Sequence, residues 1–69
     1  MKYSFQKGFK QIPIGKAAEV KNELMEALSV KSRPAWRARL TGKVEPKVSE
    51  ARKIEKIFAN HGVKEIWGE

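Results

Sequence analysis

The sequence predicts a mainly α-helical fold, with three short helices preceded by an extended N-terminal arm. Three observations carry that prediction. Apolar residues recur at helical spacing in residues 16–29 and again in 50–61. Capping residues and glycines punctuate residues 31–62 where helices would start and stop. Residues 3–14 show neither feature. Sixty-nine residues suit a single domain over 1–69, divided into an arm (1–15), a helical core (16–62) and a tail (63–69).

In the arm, Tyr3 and Phe5 alternate with polar residues, Phe9 follows Gly8, and Ile12 and Ile14 flank Pro13. That pattern predicts extended chain, one strand with a bend at Gly8. The first helix is expected over 16–29, because Ala17, Val20, Leu24, Ala27 and Leu28 form one stripe opposite Glu19, Lys21, Asn22, Glu23 and Glu26. Ser32 can cap the second helix, and Pro34 suits its first turn, where a missing N–H costs nothing. Gly42 ends that helix after Thr41. Ser49 is the expected cap of a third helix from about Glu50 to His61, with Ala51, Ile54, Ile57 and Phe58 inward and Gly62 as its stop. The tail, GVKEIWGE, reads equally as a short strand or one helical turn. A short β pairing between arm and tail would bury Tyr3 to Phe9 against Val63 to Trp67. Self-association through the same two segments is the alternative, and pairing within the chain is favoured by their matching lengths.

Charge is concentrated. Residues 31–43, KSRPAWRARLTGK, hold Lys31, Arg33, Arg37, Arg39 and Lys43 and no acid, a net +5 of the chain's +7. Residues 44–69 balance at zero, with five charges of each sign. Three of the five cations are arginines inside a helix, and the planar guanidinium fork suits phosphates and guanine edges. Trp36 and Leu40 are the expected core contacts of this helix, which puts Arg33 and Arg37 along an exposed edge. Lys31 and Lys43 stand at its ends.

The inventory argues against catalysis. There is no Cys, no Asp and one His, and no glycine-rich phosphate loop. His61 before Gly62 is explained as a cation at a helix C-terminus. One His cannot make a metal site, so no metal and no cofactor are expected, nor any small-molecule ligand. The first twenty residues lack a signal-peptide core and no apolar run approaches a membrane span, so a cytoplasmic protein without a membrane partner is expected.

Leu24 to Val30, Leu40-Thr41-Gly42-Lys43, Pro46 and Ala51 to Val63 together resemble the helix-turn-helix DNA-binding domains of the lambda-repressor/Cro and lac-repressor groups. The chain is also similar to a group of short bacterial proteins sharing the pattern KVEPKVSEA. The resemblance covers about forty residues. It implies a three-helix, helix-turn-helix-like core and double-stranded DNA as partner, in a small transcriptional regulator or accessory factor. Arg33, Ala35 and Arg37 would face bases, and Lys31, Arg39 and Lys43 the phosphates. Three features depart from the pattern: a turn one residue longer, Arg39 at a usually apolar position, and no helix before residue 16. One such helix covers few base pairs, so a homodimer on two half-sites is a further expectation. The alternatives are a protein-interaction module using an exposed aromatic arm, and an RNA-binding module stacking bases on Trp36.

Overall fold

The computed structural model describes residues 3–69 and contains four helices with almost no strand. They are α1 (Gln6–Lys10), α2 (Ile14–Ala27), α3 (Arg33–Leu40) and α4 (Val48–Asn60). The core is built from Phe5, Ile12, Val20, Leu24, Leu28, Trp36, Ile54, Phe58, Val63 and Ile66. Val20, Leu24 and Leu28 from α2 and its C-cap, with Ile54 and Phe58 from α4, are the buried residues of the stripes expected from spacing; Ala17, Ala27, Ala51 and Ile57 flank them half-buried. No helix among the described residues is long and apolar enough to cross a membrane.

The expected extended arm is corrected. Met1 and Lys2 lie outside the described residues, but Gln6–Lys10 is helical and α2 begins at Ile14, two residues earlier than expected. A five-residue helix has no stability of its own. It forms here because its first-turn donors find partners elsewhere in the fold. The Gln6 N–H donates to Ser4 Oγ at 3.3 Å, the Lys7 N–H to the Gly68 carbonyl at 2.9 Å and the Gly8 N–H to the Ile66 carbonyl at 2.9 Å. Gly8 is required by that approach, since a Cβ there would sit 2.9 Å from Ile66 Cα.

The tail is extended and meets the N-terminal segment within the chain. Its pairing is one parallel bridge, Phe5 with Gly68, supported by a 2.7 Å hydrogen bond from the Gly68 N–H to the Ser4 carbonyl. The aromatic residues of this region face inward. Phe5 packs edge-on against Trp36 (5.7 Å between centroids) and Trp67 (6.4 Å), and Phe9 against Trp36 (5.6 Å).

Helices α2, α3 and α4 share one ending. After α3, the Gly42 N–H donates to the Arg39 carbonyl and the Lys43 N–H to the Ala38 carbonyl, with Gly42 at φ +82°. Gly62 (φ +78°) does the same after α4. Ser29 takes that place after α2 at φ +56°, a conformation that costs a residue with a Cβ. The α4 start is corrected as well. Lys47, not Ser49, is the N-cap residue, and its N–H donates to Glu50 Oε1 at 2.9 Å from the third helical position.

Candidate nucleic-acid interface

Helix α3 is built to present one face outward. Ser32 caps it as expected, its Oγ accepting from the Ala35 N–H at 3.3 Å, and Pro34 occupies the first turn. Trp36 points inward, 7% exposed, between Phe5 and Phe9, with the Lys21 ammonium 5.9 Å from its ring centre. Leu40 is half-buried, and its carbonyl accepts from both Ser4 Oγ (3.0 Å) and the Phe5 N–H (3.1 Å). The N-terminal segment therefore supplies hydrogen bonds that the last turn of α3 lacks.

Arg39 provides the third attachment. Its two terminal nitrogens donate to Glu50 at 3.0 and 3.3 Å in a two-pronged pair, and both side chains are about one-fifth exposed (19% and 18%). Those bonds from Arg39, with the one from the Lys47 N–H, hold the Glu50 carboxyl below the usual carboxylate range. Arg39, expected to face phosphate, has its guanidinium paired with Glu50 of α4 in this structure. The signal was its departure from the apolar residue usual at that position, because a charged group turned toward the core needs a partner.

The other assigned residues fall as follows. Lys31, Arg33, Ala35, Arg37 and Lys43 are all exposed, and among the described residues the four cations make no ion pair. Arg33 and Arg37 lie on one edge of α3, as expected. Ala35 sits apart from them, nearer the Arg39 side. A shallow groove of about 390 Å³ runs along the outward face, lined by Pro34, Arg37, Ala38, Thr41 and Lys43. Pro34, Ala38 and Thr41 were not among the assigned residues, although their spacing of three and four marks the same stripe. The Thr41 hydroxyl donates to the Arg37 carbonyl at 2.8 Å, so its oxygen remains an acceptor facing that groove.

The other open clefts lie beside Trp67. One is lined by Glu55, Val63, Ile66 and Trp67 among others, the second by Tyr3, Ala51, Glu55 and Trp67. Glu55 accepts from Trp67 Nε1 at 3.1 Å and ties the tail to α4. His61 is likewise a strut, 2.8 Å from Glu23 of α2. Among the described residues no group of acids and histidines is placed to hold a metal ion. Comparison with protein-family models, with curated proteins and with solved structures finds no match to this chain.

Proposed function

We propose that the chain binds double-stranded DNA, with α2 and α3 as a helix-turn-helix whose second helix lies in the major groove. The observation that carries this is the division of labour on α3. Trp36, Leu40 and Arg39 attach its inner side, while Lys31, Arg33, Arg37 and Lys43 stand exposed and unpaired among the described residues. A helix with its side chains is about 10–12 Å across, which suits a major groove about 12 Å wide. In that position Arg33 and Arg37 address base edges, each two-pronged contact to guanine discriminating by about 1–3 kcal/mol. Lys31 and Lys43 neutralise phosphates at either end and set the register. The presence of α1 ahead of α2 also removes one departure from the resembled domains.

Such a protein acts by occupancy, as a transcriptional regulator or accessory factor, and two copies on half-sites about 34–36 Å apart supply the specificity one short helix lacks. The RNA and aromatic-docking alternatives draw no support, because Trp36 is buried and Phe5 and Phe9 pack against it.

Fluorescence anisotropy with a duplex between ~50 and ~200 mM salt tests the reading. All five cations of residues 31–43 on phosphate would give a slope of log K against log salt of roughly −4.5; with Arg39 held by Glu50 and Arg33 and Arg37 on bases, Lys31 and Lys43 give roughly −1.8. Arg33→Ala/Arg37→Ala is expected to weaken binding at least tenfold while leaving that slope nearly unchanged. No binding at ~50 mM salt, or an unchanged double variant, overturns the proposal.

A further inference from the structure

Helix α4 carries a second stripe, separate from the one it turns to the core. Val48, Arg52, Glu55 and Ala59 recur at i, i+4, i+7 and i+11, and all four are exposed, Val48 to 73%. Steps of four, three and four residues are the spacing by which one helix packs along another. Two open clefts of about 330 and 400 Å³ run beside the stripe, and Glu55 and Trp67 line both.

The stripe complements itself. Val48 stands four residues before Arg52, and Ala59 stands four residues after Glu55. A second α4 turned end for end therefore sets its Glu55 on Arg52 and its Ala59 on Val48. The same two contacts recur on the other side of a two-fold axis, as a closed pair of identical surfaces requires. Packed in parallel and in register, the stripe would instead set Arg52 on Arg52 and Glu55 on Glu55, which like charges oppose. Both charges are available for the antiparallel pairing. Arg52 makes no ion pair among the described residues. Glu55 accepts from Trp67 through Oε2, which leaves Oε1 for a second donor.

We propose that the chain pairs with a second copy of itself, α4 antiparallel on α4, with Arg52 against Glu55 and Val48 against Ala59. The charge pairs set orientation and register, and the apolar ends exclude water around them. Three turns of helix make a small interface, so the association is reversible and in the micromolar range. The seam forms without nucleic acid. Its use, presenting two α3 helices to two half-sites, rests on the α3 reading.

Sedimentation equilibrium of the intact chain from ~10 to ~500 μM, without nucleic acid, reads the association. A dimer is expected, and Arg52→Glu, at an exposed position, is expected to weaken it at least tenfold by opposing like charges. Because the chain has no cysteine, Val48→Cys/Ala59→Cys tests the register. Those positions lie about 16 Å apart along one helix, too far for a disulfide within the chain. Mild oxidation is expected to give covalent dimer from the double variant and at least fivefold less from either single variant. A monomer at every concentration, an unchanged Arg52→Glu, or equal cross-linking by Val48→Cys alone overturns the proposal. Anisotropy with a duplex reads the other site separately. A dimer that binds no duplex supports the seam and overturns the α3 reading, whereas a monomer that binds duplex overturns the seam alone.

Discussion

Helix α3 buries one large side chain, Trp36, whereas α4 buries Ile54 and Phe58 and half-buries Ala51 and Ile57. The longer helix follows the usual route, an apolar stripe against α2. The shorter one carries three arginines in eight residues and cannot hold its place that way. It is attached by one aromatic ring, one ion pair and two hydrogen bonds at Leu40, all reaching it from distant parts of the chain. A helix with a charged outer face can still be held in place, provided the neighbours supply the contacts its own sequence cannot.

The largest expected break in that comparison is at Trp36. Trp36→Ala removes the only fully inward side chain of α3 and is expected to cost about 3–5 kcal/mol in denaturant unfolding, against less than about 0.5 for Arg33→Ala or Arg37→Ala. The two glycine stops sharpen it next. Gly42 and Gly62 share a positive φ, but a Cβ at Gly42 would lie 2.7 Å from the Ser4 nitrogen, whereas one at Gly62 meets nothing within 4 Å. Gly42→Ala is therefore expected to cost about 2–3 kcal/mol and Gly62→Ala about 1, read from the same unfolding curves.

Glu50→Gln comes third, at about 1–2 kcal/mol near neutral pH, because it discharges the acceptor of Arg39. Its pH dependence has a fixed sign. The folded carboxyl titrates below its ordinary range, so its stabilisation is present above that range and is lost as pH falls through the lowered value. The acid limb of a stability–pH curve should flatten in the variant; an unchanged limb would show that the pair contributes nothing. The smallest effect is a gain. Ser29→Gly relieves a left-handed Cβ after α2 and should add about 0.5 kcal/mol, visible as a shifted midpoint with unchanged slope.

What was legible in the sequence was local. Ser32, Pro34, Gly42 and Gly62 act on residues within one turn of themselves, so the limits of α3 and the end of α4 could be read directly. The stripes of α2 and α4 were legible because every core contact of a long helix repeats the same period. The contacts that define the candidate interface were not local. Arg39 and Glu50 lie eleven residues apart across a loop, and no spacing rule joins them. Helix α1 was hidden for the same reason, since Gly68 and Ile66, some sixty residues downstream, accept from its first turn. Ser49 was a plausible cap, but Glu50 reaching back to Lys47 sets the start of α4 two residues earlier.

The bonds from Ser4 and Phe5 to Leu40 bear on whether the basic segment could be transplanted. They span thirty-six residues or nearly so, and they complete the last turn of a helix far too short to persist by itself. Excised as a peptide, residues 31–43 would keep every positive charge and lose the geometry that sorts them. Such a fragment would be a flexible polycation, attracted to any phosphate chain and able to distinguish none. Whatever selectivity α3 has is thus a property of the whole tertiary structure, and a graft would have to carry Ser4, Phe5, Phe9 and Glu50 along with it.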